Sequence, residues 1–195
     1  MLDLGKYSIV LGSKSPRRKE LLSGLGIQFE IRVLDTNEDY PDSLNNREVP
    51  RFLAKLKADA LIDSLKSNEI LITSDTIVLL ENEILGKPTD ANQAFEMLRK
   101  LSGKFHEVIT GVHLLSKEKS KSFQVVTNVY FKELSDSQIN YYIQNYKPFD
   151  KAGGYGIQEW IGYVGISKIE GSYFNVVGLP VAELYDELKL FISSK

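Results

Sequence analysis

SIVLGSKSPRRKELL, residues 8–22, is the stretch on which the reading of this chain turns. An apolar run, Ser8-Ile9-Val10-Leu11-Gly12, has the character of a short strand. It passes through a polar turn into Lys19-Glu20-Leu21-Leu22, which is helix-like. Ser15 can cap that helix, and Pro16 suits its first position because the ring presets φ where no intrahelical N–H bond is needed. Arg17 and Arg18 then stand in the first turn, among N–H groups that already carry partial positive charge. Each cation there costs about 0.3–1 kcal/mol unless an anion neutralises it. Strand, turn and helix start are also the arrangement that directs backbone N–H groups at phosphate, and two guanidinium forks add bidentate contacts. A bound phosphate is one reading of this misplacement; an ordinary solvated helix start is the other.

Outward from this stretch, strand-like and helix-like segments alternate without repeats or an obvious linker, which predicts one compact α/β unit over residues 1–195. Gln28 to Leu34 alternates as a second strand, and Asp35 to Asn46 is an acid-rich loop. Val49, Leu53, Leu56 and Ala60 follow helical period with Pro50 in the first turn. At 100° per residue, Lys57 flanks that stripe while Lys55 points away. Ile70 to Thr73 and Ile77 to Leu80 read as strands, followed by a turn at Asn82. Thr89 is the expected cap of a helix facing inward with Ala91, Ala94, Phe95, Leu98 and Leu101, and Gly103 ends it. Two long strands, Glu107 to Leu115 and Phe123 to Leu134, are joined by Lys117-Glu118-Lys119. Ser135 and Gln138 form a capping box for a helix through Tyr146. A glycine-rich segment from Asp150 to Gln158 precedes further strands. Pro180 opens a last helix with Val181, Leu184, Leu188 and Phe191 inward.

Composition narrows the chemistry. At 195 residues and 43% hydrophobic content the chain can bury a core without staples. It has no cysteine, which excludes disulfides, thiol nucleophiles and cysteine-ligated metal, and it points to an intracellular protein. His106 and His113 are its two histidines, so acid–base work falls to carboxylates. A net charge of -2 gives no general attraction to nucleic acid. With no apolar run of spanning length and no signal-like start, the expectation is a cytoplasmic protein without membrane contact.

Four places carry candidate chemistry. Asp75 interrupts the apolar run Ile70 to Leu79, where a carboxylate needs hydrogen bonds, cations or a metal; a turn at Ser74-Asp75-Thr76 is the plainer alternative. Lys87, in Gly86-Lys87-Pro88, can meet an anion held by the arginines, or be an ordinary solvated turn residue. No GxxxxGK[ST] stretch is present, which excludes a P-loop. Glu38, with Asp35, Asp39 and Asp42 near it, offers hard oxygen ligands of the kind magnesium takes beside phosphate, or is part of an acidic solvated loop. Asp150 to Gln158 reads on its own as a flexible turn with Tyr155 and Ile157 packed inward.

Taken together these segments resemble the Maf family of nucleoside triphosphate pyrophosphatases. The resemblance rests on Ser13-Lys14-Ser15-Pro16-Arg17-Arg18, Glu38, Leu53-Ala54-Lys55-Leu56-Lys57-Ala58, Ser74-Asp75-Thr76 and Gly86-Lys87-Pro88. It continues through Leu101-Ser102-Gly103, His106, Thr110-Gly111-Val112, Asp150-Lys151-Ala152-Gly153, Gly171-Ser172-Tyr173 and Val176-Val177-Gly178-Leu179-Pro180. It implies the inosine-triphosphatase-like (Maf/Ham) α/β fold, a mixed sheet with flanking helices and a cleft between two lobes. It also implies release of pyrophosphate by attack at the α-phosphorus, with Asp75 as proton acceptor. The segment Lys151 to Gln158 is similar to the branch acting on dTTP and UTP, although Gly154 replaces a more usual alanine and Glu159-Trp160 a more usual glycine.

The resemblance ties Arg17, Thr76 and Gln158 to substrate choice; by their charge Arg17, Arg18, Lys57 and Lys87 can meet a triphosphate, and Ser13 joins them in the expected nucleotide-binding set. Glu38 and Asp75 are the expected ligands of a divalent cation, magnesium or manganese, that would neutralise more of the phosphate charge, and a homodimer is among the expected partners. Gln158 suits uracil and thymine because its NH₂ can donate to O4 while its carbonyl accepts from N3–H. A 7-methyl-GTP pyrophosphatase, or a nucleotide-binding regulator of septum formation that needs no turnover, are the competing readings. Asp75 argues against the regulator, since a carboxylate beside the scissile phosphate repels a ligand that is only to be bound.

Overall fold

Continuous apolar runs with helix-forming segments between them are the pattern of a sheet covered by helices, and that is what forms. The computed structural model describes residues 2–193; Met1, Ser194 and Lys195, the ends of the expected single domain, lie outside it. In chain order the elements are β1 (Ser8–Leu11), α1 (Pro16–Gly24), β2 (Phe29–Ile31), α2 (Val49–Asp59), β3 (Glu69–Leu80) and β4 (Glu83–Leu85). They continue as α3 (Ala91–Leu101), β5 (Phe105–Leu115), β6 (Ser120–Phe131), α4 (Asp136–Tyr146), α5 (Trp160–Gly165), β7 (Ile166–Glu170), α6 (Tyr173–Val177) and α7 (Val181–Ser193). The seven strands form one mixed sheet in the order β2-β1-β3-β5-β6-β7, with β4 paired to β3. β1 is parallel to β2 and β3, whereas β4 and β7 run antiparallel to β3 and β6.

The chain divides into two compact units, and β3, β5 and β6 contribute residues to both. Of the described residues, the first unit comprises 2–75, 110–125 and 178–193. In it the strand alternation sorts side chains to two faces. Ile9, Leu11, Ile70, Ile72, Val112 and Leu114 pack with Leu22 of α1 and Leu184, Leu188 and Phe191 of α7. Val10, Leu71 and Leu115 pack with Ala58 of α2 and with Leu61 and Leu65 beyond it. Gly111 lets α2 approach β5, because a Cβ there would lie 2.4 Å from the Pro50 backbone.

The second unit comprises residues 76–109 and 126–177. Its core joins Val78 and Leu80 of β3, Val108 of β5, and Val129 and Phe131 of β6 to Leu98 of α3 and to Ile139 and Tyr142 of α4. His106 is buried there with its Nε2 2.7 Å from the Tyr155 hydroxyl, and burial pushes its pKa down to about 3. Among the described residues, no helix is long and apolar enough to cross a membrane.

Several boundaries differ from the sequence reading. Ile70 to Thr73 and Ile77 to Leu80 are halves of the single strand β3, so Ser74-Asp75-Thr76 is not a turn. Asp90, not Thr89, caps α3 by accepting from the Gln93 amide at 2.8 Å; Ala91 is exposed there. The stripe of α2 is Val49, Pro50, Leu53, Ala54 and Ala58, rotated from the expected one, and Ala60 is exposed beyond the helix. β2 is shorter than expected, and α5 occupies part of what reads as strand.

One ion pair ties β2's exit to the first unit. The Glu69 side chain, 3% exposed, accepts from Arg32 Nη1 at 2.9 Å, from Nη2 at 3.1 Å and from the Lys66 amide at 2.9 Å. The Arg32 guanidinium holds its carboxyl at about 2, down from an ordinary 4.5. A carboxyl whose pKa is depressed on folding stabilises above its unfolded pKa and loses that contribution as pH falls through the folded value. The contribution is therefore complete above about pH 4.5 and disappears toward pH 2. Glu69→Gln is expected to flatten the fall of the urea midpoint over that window; a slope equal to wild type would contradict the assignment.

Candidate functional site

Ser15 caps α1 as expected, its hydroxyl accepting from the Arg18 amide at 3.4 Å, and Pro16 occupies the first turn. The turn before it is closed by Ser13, buried, whose hydroxyl accepts from the Ser15 amide at 3.2 Å. Arg18 then departs from expectation. Its Nε donates to the Gly178 carbonyl at 2.9 Å and its Nη1 to the Ser74 carbonyl at 2.8 Å. Burial lowers its pKa, with Asp75 opposing that shift. Arg18 thus fastens the helix start to β3 one residue before Asp75, and the cation offsets its unfavourable helix position with protein carbonyls. Arg17 is half-buried in the same turn.

Asp75 sits within β3 with a side chain 13% exposed. Lys57 reaches it from α2: its Nζ lies 2.6 Å from Asp75 Oδ1 and 2.9 Å from Glu38 Oε1. The helical phase that singles out Lys57 also holds for Lys55, which is exposed and pairs with Asp59 at 2.5 Å. The register between α2 and β3 is set by Thr73, a buried residue that carries no signal in the sequence. Its hydroxyl donates to the Ala54 carbonyl at 2.6 Å, two residues before Asp75 on one element and three before Lys57 on the other. Successive strand side chains alternate, so Thr76 points away from the face that Asp75 shares with Lys57. Two carboxylates converging on one ammonium form a hard-oxygen donor pair. Among the described residues, no cluster of three or more His, Cys, Asp or Glu could hold a metal.

Lys87 and Gln158 belong to the second unit. Lys87 is exposed in the loop after β4, and Gln158 is half-buried at the end of the glycine-rich segment. The two loops are fastened together by the Gly153 amide, which donates to the Gly86 carbonyl at 3.0 Å. Gly153 and Gly154 have φ of 70° and 69°, so an alanine at 154 would be strained by its backbone and not by crowding, the nearest atom being 3.5 Å away. Tyr155 and Ile157 pack inward as expected. The sequence assigns no role to Tyr142, Lys151 or Glu159, yet Glu159 bonds to both of the others next to Gln158. Lys151 and Glu159 flank the glycine run, but nothing local indicates that a helix 14 residues upstream supplies Tyr142.

Comparison with known proteins adds an independent line. A family model described as Maf-like protein matches residues 8–191. A protein of Parabacteroides distasonis named dTTP/UTP pyrophosphatase is 53% identical over 190 residues, covering 97% of this chain and 98% of its own. One of the same name from Phocaeicola vulgatus is 55% identical over 188 residues, covering 96% and 97%. Among solved structures, the Staphylococcus aureus Ham1 protein aligns with a TM-score of 0.48 at 14% identity, covering 64% of this chain and 71% of its own.

The two arginines should separate in stability measurements. Arg18→Ala removes two charged hydrogen bonds to buried carbonyls and is expected to cost about 1.5–3 kcal/mol in the unliganded protein. Arg17→Ala, which removes a cation from the unfavourable first turn of α1, should cost less than about 0.5 kcal/mol. Equal losses in chemical denaturation would refute the division.

Proposed function

The chain belongs to the Maf-like protein family, and on that footing we propose that it is a cytoplasmic nucleoside triphosphate pyrophosphatase of a single domain, cleaving dTTP and UTP to the monophosphate and pyrophosphate. This is the activity for which relatives at 53% and 55% identity are named. The observation that carries the chemistry is the bond from Arg18 to the Ser74 carbonyl, which sets a cationic helix start beside the Asp75 carboxylate.

In this reading Arg17, Arg18 and Lys87 bind the triphosphate, and Ser13 closes the turn that presents the first two. Asp75 orients a water and takes its proton as that water attacks the α-phosphorus in line with the leaving pyrophosphate. Lys57 holds the Asp75 carboxylate in place and supplies a further positive charge where negative charge builds. Glu38 and Asp75 fit a divalent cation, because two carboxylates are the protein share that magnesium or manganese takes when phosphate oxygens and waters complete the shell. Bound there, the ion would polarise phosphoryl oxygens and offset charge on the leaving group. Gln158 reads the base, donating to O4 and accepting from N3–H of uracil or thymine.

Asp75→Asn keeps the size of the side chain and removes the base. We expect turnover of UTP to fall by at least about 10²-fold while calorimetry still detects nucleotide binding. The wild-type products, resolved by phosphorus NMR, should be pyrophosphate and the monophosphate. Orthophosphate with a diphosphate would overturn the reading, and near-normal turnover by Asp75→Asn would assign water activation elsewhere.

A further inference from the structure

The backbone around Gln158 is gripped from both sides by a buried polar chain. The Gly156 amide donates to the Tyr142 hydroxyl at 2.9 Å, and that hydroxyl donates to Glu159 Oε2. The other carboxylate oxygen, Oε1, lies 3.0 Å from Lys151 Nζ, which also meets Asp150 at 2.7 Å. The Glu159 amide closes the turn by donating to the Gly156 carbonyl at 3.0 Å. Tyr142 is fully buried in the core and Lys151 is 9% exposed. Burial and the bond to Glu159 push the Tyr142 pKa upward, which keeps it a neutral donor.

Gly156 is part of the device. A Cβ there would stand 2.9 Å from Glu159 Cδ and 3.0 Å from Lys151 Cε, so a side chain at this position would push the carboxylate and ammonium from the positions they hold over the turn. Both oxygens of Glu159 are committed, and the chain it holds runs from two residues before Gln158 to one after it. Buried charges are costly unless each is paired and hydrogen-bonded, and here each is. Such a network fixes one geometry more firmly than an apolar packing of the same volume would.

We propose that Glu159 is a positioning residue for base selection: with Lys151 and Tyr142 it fixes the backbone that carries the Gln158 amide and thereby sets which edge of that amide meets the base. The proposal rests on the reading of Gln158 given above. The chemical consequence is discrimination between uracil and cytosine. A carboxamide in one orientation donates to O4 and accepts from N3–H; turned over, it accepts from the cytosine amino group and donates to N3. The two differ by a half-turn about the terminal bond of the side chain, so which one meets the base depends on the polar groups among which the backbone sets the amide; a fixed backbone holds that placement, and a loosened one relaxes it.

The test is the ratio of kcat/KM for UTP to that for CTP, measured for wild type, Gln158→Ala, Glu159→Gln, Tyr142→Phe and Glu159→Gln in the Gln158→Ala background. Wild type should favour UTP. Glu159→Gln and Tyr142→Phe should each lower the ratio roughly tenfold. Adding Glu159→Gln to Gln158→Ala should leave the ratio of the single Gln158→Ala variant unchanged, because Glu159 acts through Gln158. Tyr142→Phe keeps the ring in the core and so serves if Glu159→Gln does not fold. Melting temperatures that drop while both variants retain the wild-type ratio would show a purely structural network and overturn the proposal. A ratio unaltered by Gln158→Ala would instead overturn the assignment of base reading to Gln158, and the positioning role with it.

Discussion

A carboxylate in the middle of an apolar strand needs hydrogen bonds, a cation or a metal, and the contact of Asp75 with Lys57 is the one on which the surrounding architecture depends. Both side chains are largely buried, 13% and 18% exposed, and removing one partner of such a pair typically costs about 3–5 kcal/mol. The requirement propagates outward. α2 must lie over β3 in the one register that brings Lys57 to Asp75, which the Thr73 bond to the Ala54 carbonyl fixes, and Gly111 must be small enough to admit Pro50. Glu38 completes the arrangement by drawing the long acidic loop onto the same ammonium. A loop rich in acids, which by composition has no reason to order, thereby acquires a fixed point.

Arg18 shows how one side chain serves two demands. At the first turn of a helix its charge is unfavourable, yet the carbonyls of Gly178 and Ser74 accept its N–H groups and anchor α1 to β3. Electrostatic cost at the helix start is thus offset by hydrogen bonds to those two carbonyls. Of the two arginines that the sequence places unfavourably, Arg18 is engaged by the carbonyls of Gly178 and Ser74.

What could be read from the chain is what local chemistry decides. The Ser15 cap, the capping box of Ser135 and Gln138, the inward face of α7 and the phase of Lys57 on α2 all depend on residues within a few positions of one another. Features decided by distant partners were not legible. Ser-Asp-Thr has turn character, but β3 runs through it, and Asp75 pairs with a lysine 18 residues away. The carbonyl that holds Arg18 belongs to Gly178, 160 residues away, and the hydroxyl that holds Gly156 lies on another helix. Thr89 and Asp90 are both capable caps, and the choice of Asp90 leaves the Thr89 amide to bond the Gln93 side chain at 2.7 Å.

The central claim is that the carboxylate in β3 directs water to the α-phosphorus of a pyrimidine nucleoside triphosphate. Single turnover of UTP in ¹⁸O-labelled water, with products resolved by mass spectrometry, tests it most directly. The account predicts one labelled oxygen in the uridine monophosphate and none in the pyrophosphate. Label in the pyrophosphate would mean attack at the β-phosphorus and would contradict it.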